Sequence, residues 1–168
     1  MSDIQLGTTQ KDLLIHFNHL AISASSMTRL QESIVQAISE KNTYYNWVGF
    51  YMLWPSDPEI LILGPFIGEP TQHVRIPVGI GICGVAAASG KTVIVDNVSD
   101  DLRYLACSLK TMSEIVVPIF ANGKVIGEID IDSDAVAAFN GDDRIFLEQT
   151  ACIVGAYAEG HPEWTLEM

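Results

Sequence analysis

The stretch EIVVPIFANGKVIGEIDID, residues 114–132, decides the fold. Two runs rich in β-branched residues flank Asn122-Gly123, the dipeptide that best tolerates the positive φ angles of a type I′ hairpin turn. The segment therefore reads as two antiparallel strands joined by two residues. With such a turn, residues pair when their numbers sum to about 245, twice the midpoint of 122 and 123. Glu114 then lies opposite Ile131 or close to Asp130 and Asp132, at the open end of the hairpin. Asp130 and Asp132 stand two apart and project from one face of their strand. Three converging carboxylates are costly unless they face water, a cation or an ammonium group. From the residues alone, a solvated sheet face and a site for a small amine-bearing ligand or a metal both stay open. No His–Cys spacing supports zinc, and no metal or cofactor is expected.

Further strands lie N-terminal to the hairpin. NWVGFYML (46–53) and EILILGPF (59–66) flank the Pro-rich turn WPSDP, and HVRIPV (73–78) and KTVIVD (91–96) are shorter strand signals. Between these two, GIGICGVAAASG places glycines 79, 81 and 84 around Cys83. This is a tight strand-to-helix turn rather than a phosphate cradle, because the Lys-Ser/Thr of a P-loop is absent. Amphipathic helices frame the strands. Leu13, Leu14, Phe17, Leu20, Ala21 and Ala24 recur at helical spacing, as do Met27, Leu30, Ile34, Val35 and Ile38. A last helix, about 142–158, carries Ile145, Phe146, Ala151, Cys152 and Val154, with Asp142 and Asp143 at the positive end of its dipole. Helices at both ends of a block of hairpin-linked strands indicate an α+β or α/β/α sandwich.

The 168 residues suit one domain, with 1–10 a flexible tail, 11–41 helical, 45–133 the sheet and pocket loops, and 141–158 the closing helix. A net charge of −12 and only nine Lys and Arg exclude nucleic acid and disfavour an anionic membrane surface. No basic n-region with an apolar h-region opens the chain and no apolar run spans a bilayer, so a cytoplasmic protein is expected. Its three cysteines then read as reduced thiols. Cys83, near a helix start, is expected to have its thiol pKa lowered by the helix dipole. Cys107 lies 24 residues on, in a polar loop seven residues before Glu114. Cys152 reads as a core residue of the last helix.

The elements RIPVGIGICGVAA, YLACSLKTMSEIVVPI and GKVIGEIDIDS together resemble the GAF domain family. The resemblance covers about 46–158 and implies an α+β fold: a mostly antiparallel central sheet, terminal helices packed together on one face and a ligand pocket on the other. More narrowly, NWVGFY, GICG, AC…SEIVVP and DIDS are similar to the free methionine-(R)-sulfoxide reductases. That likeness implies Cys107 as the catalytic cysteine, with Cys83 taking part in a disulfide relay. It implies Glu114, Asp130 and Asp132 as substrate-holding carboxylates and Trp47 and Tyr51 as the pocket wall around the substrate methyl group. The implied cycle passes from thiolate to sulfenic acid to disulfide, with free methionine sulfoxide as substrate and a thioredoxin-like dithiol as reductant.

Fuller members of that family carry another cysteine ten residues before the GICG cysteine, where this chain has His73. Resolution of a sulfenic acid then falls to Cys83 or to an external thiol. The other reading is a non-catalytic GAF module that binds a small molecule or senses redox state. The amphipathic terminal helices suggest a homodimer.

Overall fold

The structure is a computed structural model that describes residues 6–105 and 108–167. It opens with two helices, α1 (Thr8–Ser23) and α2 (Met27–Lys41). Helix α1 starts three residues before the expected position. Gly7 serves as its N-cap, and the Gln10 side chain reaches back to accept from the Gly7 N–H at 3.3 Å. At the α1–α2 break, the Ser26 hydroxyl accepts from the Arg29 N–H at 3.1 Å and so caps α2.

Six strands follow: β1 (Trp47–Trp54), β2 (Asp57–Ile67), β3 (Arg75–Pro77), β4 (Val93–Val95), β5 (Ser113–Ala121) and β6 (Lys124–Ser133). They form one sheet in the order β3-β2-β1-β6-β5-β4, and every neighbouring pair is antiparallel. Helix α3 (Gly81–Ser89) connects β3 to β4, and α4 (Gly141–Gly160) follows the sheet.

The β5–β6 turn is the expected one, with φ of 50° at Asn122 and 73° at Gly123. Its register departs from the simple count. Ala121 pairs Lys124 and Phe120 pairs Val125, but Ile119 pairs Gly127, so Ile126 is one extra residue on β6. This bulge advances every later pair by one and sets Glu114 directly opposite Asp132. Opposite residues of an antiparallel pair share a face, so the bulge carries Glu114 to the side of the sheet that bears the aspartates.

The alternation of strands sorts the core into two halves. Val48, Phe50 and Met52 of β1, Ile115, Val117 and Ile119 of β5, and Ile129 and Ile131 of β6 face α1, α2 and α4. Phe17, Leu30, Ile34 and Leu147 close this half, each fully buried and contributing about 1.5–3 kcal/mol by leaving water. Gly155 lets α4 rest on β5, because a Cβ there would lie 2.0 Å from the Phe120 carbonyl oxygen. Asn140 caps α4 by accepting from the N–H groups of Asp142 and Asp143 at 2.7 and 3.2 Å. Asp143 accepts in return from the Asn140 N–H at 2.9 Å and from the Tyr45 hydroxyl at 2.7 Å. Cys152 is exposed, against the expectation of a core residue. Ala151, Val154, Gly155 and Ala158 make the buried stripe of α4, and Cys152 falls to its solvent side.

The second half holds Trp47, Tyr51, Leu61, Ile76, Val95 and Val116 under α3, which contributes Ile82, Cys83, Ala86 and Ala87. Small residues let α3 lie close to the sheet. Among the described residues, no helix is long and apolar enough to cross a membrane.

Candidate active site

The α3-covered face of the sheet carries a file of acids in three cross-strand rows. Trp47, Asp132 and Glu114 make the first row, with Val95 of β4 beside Glu114. Gly49, Asp130 and Val116 make the second, and Tyr51, Glu128 and Pro118 the third. Gly49 is needed between the two aromatic residues, since a Cβ there would lie 2.4 Å from the Trp47 ring. The Trp47 ring stacks on Phe66 at 5.4 Å and on Tyr51 at 6.2 Å between centroids. Its indole N–H donates to the Glu69 carbonyl at 3.1 Å, and the Tyr51 hydroxyl donates to the His73 carbonyl at 2.8 Å. Both rings are thereby fixed.

The acids do not form a solvated face. Glu114 is 5% exposed, Asp130 2%, Asp132 3% and Glu128 0%. Burial is the largest influence on all four carboxyls and pushes each above the usual range. Asp130, Asp132 and Glu128 raise Glu114 further, Asp130 and Asp134 raise Asp132, and Asp130 itself is pushed up to about 7. The Cys83 thiol donates to Glu114 Oε1 at 3.9 Å. It sits in the first turn of α3, but the expected dipole-lowered pKa is overturned. Burial first, then the charges of Asp130, Glu128 and Glu114, push the thiol well above its ordinary value. Three carboxylates at short range outweigh one helix terminus whose effect is about half an elementary charge.

A cavity of about 180 Å³ opens at the first row, lined by Trp47, Asp132, Asn46, Thr71, Thr111 and the exposed Lys110–Glu69 ion pair, among others. Of the residues singled out from sequence, Trp47 and Asp132 line this cavity. Glu114, Asp130, Tyr51 and Cys83 do not line it. They continue from it along the same buried face. Cys107 lies outside the described residues. Glu128 was not among the expected site residues, although the alternation that groups Asp130 with Asp132 extends one step further to it.

Residues 24–156 match the description of the GAF domain. The chain belongs to the GAF domain family. Its GAF domain is 44% identical over 110 residues to the free methionine-R-sulfoxide reductase of Saccharomyces cerevisiae, an alignment spanning 65% of this chain and 61% of that protein, less than two thirds of its length. It is 36% identical to the free methionine-R-sulfoxide reductase of Escherichia coli, over 82% of this chain and 81% of the other. Among solved structures, this GAF fold superposes with a TM-score of 0.86 on free methionine-R-sulfoxide reductase from Neisseria meningitidis in complex with its substrate. The two are 30% identical, over 97% of this chain and 99% of that one.

Proposed function

We propose that this GAF domain is an oxidoreductase that reduces free L-methionine (R)-sulfoxide to methionine. The observation that carries the reading is a cavity that joins the face of Trp47 to the carboxylate of Asp132, at the end of a buried file of acids. The ring suits the methyl and sulfur end of the substrate, and the acids suit its ammonium group. The reductases among the relatives act on the same substrate by name.

In the proposed cycle the Cys107 thiolate attacks the sulfoxide sulfur. The oxygen passes to Cys107 as a sulfenic acid, and methionine leaves with its sulfur reduced. Glu114 holds a proton at neutral pH by virtue of its burial and its acidic neighbours, and it donates that proton to the sulfoxide oxygen. Asp130 and Asp132 receive the ammonium group, and Trp47 and Tyr51 exclude water from the thioether. Cys83 then attacks the sulfenic acid, water departs, and a thioredoxin-like dithiol reduces the disulfide. A cytoplasmic location and a homodimer formed through the terminal helices belong to the same reading.

The test is methionine release from L-methionine (R)-sulfoxide with dithiothreitol, using the wild type, Cys107→Ser and Glu114→Gln. Turnover by the wild type, none by Cys107→Ser and a kcat lowered about 10²-fold or more by Glu114→Gln support the proposal, since a positioned general acid contributes roughly 10²–10⁴-fold. A folded, reduced wild type that releases no methionine overturns it, as does full activity of Cys107→Ser.

A further inference from the structure

The Cys83 thiol and the carboxyls of Glu114 and Asp130 come from three separate elements, α3, β5 and β6, and meet inside the protein. One ligand atom from each lies within 4.8 Å of the other two, and the Cys83 sulfur stands 3.9 Å from Glu114 Oε1. Among the described residues, no other three Cys, His, Asp or Glu side chains converge in this way. All three are buried, so water does not offset their crowding.

The oxygens themselves call for a positive charge. Asp130 is 2% exposed, and its Oδ1 is buried without a hydrogen-bond partner among the described residues. Glu128, two residues back on the same face, adds two buried oxygens in the same condition. The ion pairs among the described residues join Arg29 to Glu32, Arg103 to Asp101, Lys110 to Glu69 and Arg144 to Glu148, and none of them reaches these acids. Buried carboxyls with neither a full set of hydrogen bonds nor a counter-charge cost folding free energy, which a cation held between them offsets.

We propose that Cys83, Glu114 and Asp130 bind a divalent transition-metal ion of the zinc class. The donor set decides the class. A thiolate selects soft and borderline ions and disfavours magnesium and calcium, which take oxygen ligands. Zinc accepts sulfur and carboxylate oxygen together in a tetrahedral shell, with bonds of about 2.0–2.3 Å that set the ligand atoms about 3.3–3.6 Å apart. The Cys83–Glu114 pair, at 3.9 Å, is already close to this spacing. Three protein ligands leave one position for water. Binding displaces the thiol and carboxyl protons to solvent, and no electrons move. An ion held here occupies the acid and the resolving thiol of the proposed cycle and so inhibits it. That consequence rests on the reductase reading, whereas the metal site does not.

The test titrates Co²⁺ and Zn²⁺ into reduced, desalted protein carrying Cys107→Ser and Cys152→Ser, in which Cys83 is the single thiol. One equivalent of Co²⁺ should give a sulfur-to-cobalt charge-transfer band and the intense visible bands of tetrahedral cobalt. One equivalent of Zn²⁺ should abolish both, and a large excess of Mg²⁺ should not. Adding Cys83→Ser should remove the charge-transfer band. Asp130→Asn and Glu114→Gln should each weaken binding about 10²-fold or more, since losing even an outer-shell partner costs about 10–100-fold. Circular dichroism establishes that each variant is folded. A folded, reduced protein with no charge-transfer band overturns the proposal, and so does binding that Asp130→Asn or Glu114→Gln leaves within twofold of the parent. For the inhibition, reduced wild type is given substrate without any thiol reductant. Its first release of methionine should fall in proportion to bound Zn²⁺ and return with EDTA, and release unchanged at full occupancy overturns the inhibition. A wild type that releases no methionine even without zinc overturns the reductase reading alone, because the cobalt measurement still reports on the site.

Discussion

Raising the pH from 5 to 7.5 should destabilise this protein, opposite to the usual trend for carboxylates. Asp130 carries the magnitude. Its carboxyl is moved from an ordinary value of 3.8 to about 7 by burial. Below 3.8 both the folded and unfolded chains hold the proton. Between 3.8 and about 7 the unfolded chain has released it and the folded chain has not, so each pH unit removes about 1.4 kcal/mol of stability. Across the interval the loss from Asp130 alone is about 4 kcal/mol, a large part of the 5–15 kcal/mol typical of a domain. Glu114, Glu128 and Asp132 shift in the same direction and steepen the slope. Asp101 and Glu148 shift the other way through pairs with the exposed Arg103 and Arg144, which solvent screens, and so oppose it weakly. The assay is urea unfolding at half-unit pH intervals, with Asp130→Asn alongside. The wild type should lose stability steadily up to about pH 7, and Asp130→Asn should flatten the curve by one proton and be the more stable protein at pH 7. A wild-type stability that is flat or rises with pH refutes the reasoning, as does an Asp130→Asn curve with the wild-type slope.

Two further outcomes follow from the packing. Gly155→Ala should destabilise by about 1–3 kcal/mol in urea unfolding, because its Cβ would meet the Phe120 carbonyl at 2.0 Å and push α4 off β5. Tyr45→Phe should cost about 1–2 kcal/mol in the same measurement, since it removes a buried 2.7 Å bond to Asp143. The α4 cap bond from the Asn140 N–H to Asp143 should survive that change, so helix content by circular dichroism should stay as in the wild type.

Much of the architecture was legible in the chain because it rests on local periodicity. The Asn122-Gly123 turn, the alternation along β5 and β6 and the apolar stripes of α1, α2 and α4 each depend on a few adjacent residues. The resemblance in GICG, SEIVVP and DIDS led to the family and to the residues of one sheet face. Three features depended on distant partners and were not legible. The extra residue Ile126 moved Glu114 to face Asp132, because register depends on where a bulge falls and not on the turn alone. The covering α3 turned an acidic sheet face into an interior. That same burial reversed the expected ionisation of Cys83, and the rotation of α4 exposed Cys152. The sequence by itself determined which residues alternate and which turn joins them, since those are short-range properties of the backbone. Only the tertiary structure decided the protonation of the acids and of the thiol, because proton affinity depends on solvent access and on charges brought close by chain segments far apart in sequence.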